Sequence, residues 1–185
     1  LQEKYGQGTF QVVRTEAVGA KIGGELQQRA LLAILVSFLF TLIYLAFRFE
    51  WRFGVAAIIA TAHDVLFSLG MIAALQLEVS LPTVAAVLTI LGYSLNDTIV
   101  VFDRARENLK RTGRREDFAA VLNRSINETL PRTILTSVTT AAALLALFLF
   151  GGDIIRGFAM IMLVGVVVGT FSSIFIASPV LLEIE

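Results

Sequence analysis

The stretch Gly92-Tyr93-Ser94-Leu95-Asn96-Asp97-Thr98-Ile99-Val100-Val101-Phe102-Asp103-Arg104 closes a long apolar run and sets an amide, a carboxylate and hydroxyls inside it. Ionisable groups within a membrane-spanning segment are costly. They face the protein interior as a rule and mark ion or proton paths. Asp97 is therefore the residue around which the remaining chain is read: four further hydrophobic helices and a basic loop.

Composition agrees. Of 185 residues, 56% are hydrophobic and 16% charged, and the apolar residues fall in blocks. That pattern implies an all-α integral membrane protein. The 15 basic and 15 acidic side chains cancel, so bulk charge gives no reason to expect nucleic acid as a partner. With no Cys and the single His63, neither disulfides nor a thiolate or His-cluster metal site is expected. No GxxxxGK[ST] loop for a nucleotide occurs, so no cofactor and no enzymatic activity are expected. The chain opens at Leu1 on a polar stretch without an apolar leader, so no signal peptide is expected. Without an initiator Met, it is expected to be a fragment.

Residues 1–26 read as the remnant of a water-exposed domain and its connector. Thr9–Arg14 alternates as a short strand does. Thr15–Leu26 reads as a turn followed by the polar start of a helix. Residues 27–185 form the transmembrane domain, with spans at about 30–48, 53–77, 80–103, 132–150 and 157–182, each near the ~20 residues that cross a hydrocarbon layer. Pro82 sits at the start of the third span, where its missing N–H does no harm. Pro131 is read as marking the start of the fourth.

The intervening cytoplasmic loop, 104–131, is amphipathic. Phe118, Val121, Leu122, Ile126 and Leu130 recur at helical spacing, which predicts a helix at the membrane interface. Glu107 with Lys110 and Arg111 supports a helical extension of the third span. If the N-terminus lies outside, the inner segments hold Arg48, Arg52, Arg104, Arg106, Lys110, Arg111, Arg114, Arg115, Arg124 and Arg132. The outer ones hold only Lys4, Arg14, Lys21, Arg29 and Arg156. The excess of positive charge predicts an external N-terminus and a cytoplasmic C-terminus.

Counting from Thr83 at ~1.5 Å per residue puts Asp97 roughly 20 Å into the layer. Desolvation there disfavours the charged carboxylate unless a cation restores it. Arg132 is the natural candidate, pointing inward or snorkelling to the surface. A carboxylate that is paired in one conformation and unpaired in another takes up and releases protons; a static buried ion pair is the plainer alternative. His63-Asp64, about 15 Å from the cytoplasmic end of the second span, extends a proton path or fixes helix packing. Asn96, Ser94 and Thr98 add hydrogen-bonding groups beside Asp97, as do Thr136, Ser137, Thr139 and Thr140 on the fourth span. Gly165/Gly169 is a GxxxG pattern suited to close helix contact. Asp64 and Asp97 do not make an aspartyl protease, because Asp97 follows Leu-Gly-Tyr-Ser-Leu-Asn rather than a Gly-x-Gly-Asp loop.

The segment from Gly92 through Asn108 resembles the signature of the SecF family of protein-export membrane subunits. Ala62-His63-Asp64, Arg132-Thr133-Ile134-Leu135-Thr136-Ser137, Phe150-Gly151-Gly152 and Gly157-Phe158 match it in order and spacing. Thr15–Gly19 is similar to the return from the family's periplasmic domain. The resemblance implies an RND-type helical bundle in the bacterial or archaeal cytoplasmic membrane. It implies pairing with SecD, and use of the proton-motive force to draw preproteins out of the SecYEG channel after ATP-driven insertion by SecA. YajC and YidC are further candidate partners, beside membrane lipid and protons. The family's functional Asp and Arg fall on Asp97 and Arg132; its other key acid belongs to SecD. The family's first helix and nearly all of its periplasmic domain have no counterpart, leaving five spans of six. A non-conducting scaffold for the Sec complex and an RND-type exporter of small molecules or lipids remain as alternatives.

Overall fold

The computed structural model describes residues 20–112 and 116–184. Helix α1 spans Ala20–Arg48, α2 Trp51–Ala74, α3 Leu81–Thr112 and α4 Phe118–Phe150. Helix α5, Gly152–Ser172, continues through a π-helical turn, Ser173–Ala177, into α6, Ser178–Ile184. These make five helical segments long and apolar enough to cross a membrane, as the apolar blocks predict. The strand expected at 9–14 lies outside the described residues.

The connections are short and chemically specified. Only Phe49-Glu50 separates α1 from α2, and Arg48 sits in the last turn of α1, where the helix dipole favours a cation. Helix α2 ends with Gln76 in the left-handed region at φ 49°, while Leu77 N–H donates to Ile72 O at 2.9 Å and Gln76 N–H to Ala73 O at 3.2 Å. Those two bonds close the helix in the manner usually given to glycine. Between α4 and α5 the reversal takes Gly152 at φ 73°. At Gly151 a Cβ would lie 2.4 Å from the Leu147 carbonyl oxygen.

One expectation is corrected here. Pro131 does not start a helix; it lies inside the single helix α4. Proline in a helix interior removes one N–H and the bond to the carbonyl four residues back. That carbonyl belongs to Asn127, which is exposed, so water can replace the lost donor. The amphipathic segment is thus the first half of α4. It packs Val121, Leu122, Ser125 and Thr129 onto the bundle.

The core has two apolar layers. One holds Leu45, Phe49, Phe53, Ala56, Phe102, Leu122 and Leu181 at the Arg-rich end. The other, toward the opposite end, holds Val65, Ile72, Val87, Ile90, Leu144, Ile161 and Val166. Helix α1 packs against α2 and α3 at the edge of the bundle and leaves Leu31, Leu35, Leu39 and Phe40 exposed. In a membrane such a face meets lipid or another helix.

Candidate functional site

Between the two apolar layers the inner helices turn polar. Helix α2 buries Thr61, Asp64 and Ser68; α3 buries Ser94, Asp97 and Thr98; the α5 end, the turn after it and the start of α6 bury Ser172, Ser173 and Ser178. Spacings of three and four residues put Thr61, Asp64 and Ser68 on one face of α2, and set Ser94 one turn before Asp97 and Thr98 on α3. Hydroxyls that bond their own backbone cost little: Thr61 donates to Ala57 O at 2.7 Å and Ser68 to Asp64 O at 2.8 Å. Ser172 reaches across to Ala60 O at 3.4 Å.

Close approach of α5 to α3 makes this belt compact. A Cβ on Gly165 would fall 2.2 Å from Ile90 Cδ1, and one on Gly169 would fall 3.0 Å from Ser94 Cβ. The GxxxG pattern therefore seats α5 on the face of α3 that carries Ser94. Ser137, the buried hydroxyl of the fourth span's predicted set, adds a second tie. It lies 2.7 Å from Thr170 Oγ1 and accepts from Tyr93 OH at 3.4 Å. Thr136 and Thr139 instead bond to their own helix.

The two aspartates have opposite surroundings. Asp64 is 0% exposed and fully engaged. Ser94 Oγ donates to one carboxylate oxygen, and His63 Nδ1 lies 2.9 Å from the other. The His63 side chain is 44% exposed, so His63, Asp64 and Ser94 form a chain from the bundle surface to its centre. Asp97 is 3% exposed, yet its Oδ2 has no hydrogen-bond partner among the described residues. No hydrogen bond or ion pair joins it to Arg132 among the described residues. Arg132 is exposed and lines a cleft between α3 and α4 whose wall includes Val100, one turn from Asp97.

The predicted residues thus divide. Asp64, Ser94 and Asp97 share the belt, His63 touches it from outside, and Arg132 stands at its Arg-rich edge. Asn96 is not brought in: it is exposed, on the face of α3 turned away from Asp97. The direct Ser94–Asp64 bond was not expected. Its only signal was the spacing of Ser94, three residues before Asp97. Chemically, a proton added at Asp97 Oδ2 breaks no hydrogen bond there, whereas both oxygens of Asp64 already hold partners.

Comparison with known proteins gives the family. The model for "Protein export membrane protein SecD/SecF, C-terminal" matches residues 1–185. Protein translocase subunit SecF of Gemmatimonas aurantiaca is 56% identical over 185 residues, covering 100% of this chain and 55% of that protein. Protein translocase subunit SecDF of Thermus thermophilus is 53% identical over 167 residues, 90% of this chain and 23% of the relative. The crystal structure of SecDF, a translocon-associated membrane protein from that Thermus, superposes with a TM-score of 0.84 at 52% identity, covering 90% of this chain and 23% of that one. A second SecDF crystal structure, in a super-membrane-facing form, gives a TM-score of 0.79 at 49% identity over 90% of this chain and 22% of that one. The chain spans about half the length of the SecF proteins it matches. With matching sequence, fold and span pattern, the chain belongs to the SecD/SecF family of protein-export membrane proteins and corresponds to the C-terminal part of SecF.

Proposed function

We propose that this segment carries the proton-responsive part of SecF in a protein-export complex. With SecD it uses the proton-motive force to drive a late, ATP-independent stage of preprotein movement through SecYEG. The observation that carries this is Asp97, buried with one oxygen unpartnered, with unpaired Arg132 in the cleft that reaches Val100 one turn away. Proton uptake there changes the charge opposite Arg132 and so the preferred position of α4 relative to α3. A charge moved through 100 mV is worth ~2.3 kcal/mol, enough to bias such an equilibrium.

The accompanying features follow the same reading. The arginines at the α3–α4 end support a cytoplasmic position for it, with the N-terminus outside and the C-terminus inside a cytoplasmic membrane. The bundle is taken as one half of an RND-type arrangement, with SecD completing the site. The role is transport-coupled, without covalent catalysis or a cofactor. Support for the SecD partnership comes from the Thermus relative, whose name joins SecD and SecF in one protein.

The test is proton flux into vesicles holding full-length SecF with SecD, comparing wild type with Asp97→Asn and Arg132→Met. Loss of flux with unchanged complex assembly is expected. Unchanged flux in Asp97→Asn overturns the proposal, and failure of the variants to assemble moves Asp97 and Arg132 to a scaffold role.

A further inference from the structure

The cleft that reaches Arg132 has a charge pattern that the proton reading alone does not explain. Its volume is about 310 Å³, and its wall carries the carboxylates Asp103, Glu107 and Glu128 and the cations Arg104 and Arg132. Every carboxylate there already holds a cation. Asp103 Oδ2 accepts from Arg48 Nη2 at 2.5 Å. Glu107 takes Arg104 Nη1 at 2.5 Å and Arg111 Nη2 at 3.0 Å. Glu128 takes Arg104 Nε at 2.6 Å and Asn108 Nδ2 at 2.8 Å. Asn108 is itself buried and fixed on Ser125 Oγ at 3.0 Å. Arg132 is the cation of the wall with no ion pair among the described residues.

Glu128 lies four residues before Arg132 on α4. A glutamate four residues N-terminal to a cation is the favourable order for pairing along a helix. Yet the two do not pair: Arg104 and Asn108 both hold Glu128 by Oε2 and so draw its carboxylate toward α3. We infer that Arg104 is a positioning residue for the Asp97 site: by drawing the Glu128 carboxylate toward α3 it leaves the Arg132 guanidinium available to Asp97. This rests on the proton-coupled reading above. In the step it serves, the proton leaves the Asp97 carboxyl for a water molecule, and Arg132 compensates the carboxylate left behind. Were Arg132 clamped on Glu128, that compensation would be reduced.

The test uses full-length SecF with SecD in vesicles and reads proton flux under an imposed gradient. Arg104→Gln frees Glu128 to capture Arg132, and a helix-surface or exposed ion pair of that kind shifts the equilibrium about two- to fivefold. Flux should fall by that factor. In Arg104→Gln/Glu128→Gln the competing carboxylate is gone, so flux should return to the wild-type level although the α3–α4 bridge is still absent. A purely structural bridge would leave the double variant as impaired as the single one, and that result overturns the inference. So does an unaffected Arg104→Gln. If Arg104→Gln alone fails to assemble, the double variant decides: assembly with normal flux supports the role, and a second failure makes the bridge structural. Asp97→Asn, run in parallel, tests the parent reading by itself. Flux surviving Asp97→Asn removes that reading. Flux lost there but unaffected by Arg104→Gln removes only the role of Arg104.

Discussion

Ser94 on α3 donates its hydroxyl hydrogen to the Asp64 carboxylate on α2, a buried bond joining residues 30 apart in sequence. It places a neutral donor, one turn from Asp97, on the aspartate that stays engaged. Removing it leaves a buried carboxylate oxygen without that donor, which costs about 1–3 kcal/mol. Ser94→Ala should therefore lower the unfolding midpoint of the detergent-solubilised protein. Thr139→Ala, whose hydroxyl bonds only its own exposed helix, should stay within about 0.5 kcal/mol. Equal effects of the two substitutions would mean that the Ser94–Asp64 bond holds nothing together.

Helix contact through glycine gives a sharper stability contrast. A Cβ at Gly165 meets Ile90 Cδ1 at 2.2 Å and Cγ1 at 2.4 Å, whereas one at Gly157 meets nothing within 4 Å. Overpacking costs typically about 1–3 kcal/mol, so Gly165→Ala should destabilise by that much. Gly157→Ala, in the same helix, should stabilise by up to about 1 kcal/mol through helix propensity. Ile90→Val combined with Gly165→Ala should recover part of the loss. Thermal midpoints of the four proteins decide the matter, and additive effects in the double variant would sink the contact.

What could be read from the sequence follows from how local each feature is. The five spans are written in runs of apolar residues. Asp97 stands out because a carboxylate inside such a run is exceptional. The Arg-rich end is likewise a matter of counting. Three features were not local. The face on which Asn96 lies depends on how α3 is rotated against α2 and α5. Membrane helices, apolar on nearly every side, carry little periodicity to fix that rotation. The Ser94–Asp64 and Arg104–Glu128 pairs depend on which helices are neighbours. Pro131 misled because the rule that proline starts a helix assumes that the carbonyl four residues back has no other donor. Here Asn127 is exposed to water.

At the Arg-rich end, contact types differ in what they are worth. Arg48 and Asp103 form an ion pair at 2.5 Å with side chains 42% and 37% exposed. Solvent screening holds such a pair to about 1 kcal/mol or less. Phe53 is buried, edge-on to Phe102 with centroids 5.4 Å apart. Truncating a core aromatic costs about 3–5 kcal/mol. Asp103→Asn should shift the unfolding midpoint slightly and lose its effect in high salt; Phe53→Ala should shift it severalfold more at any salt. A reversed order would place the stability of this end in its ion pairs.

Pro131 separates the arm of α4 that carries Glu128 from the arm that begins with Arg132, and its own backbone cannot bond Asn127 O. Pro131→Ala restores that bond at an exposed position, and the propensity difference is worth up to about 3 kcal/mol. The unfolding midpoint should rise. The restored backbone bond would also stiffen the four-residue register between Glu128 and Arg132, strengthening the pairing that draws Arg132 from Asp97. Proton flux should therefore fall as stability rises, and adding Glu128→Gln should restore flux while the gain in stability remains. A more stable Pro131→Ala protein with unchanged flux would show that the missing backbone bond at Pro131 plays no part in keeping Arg132 free.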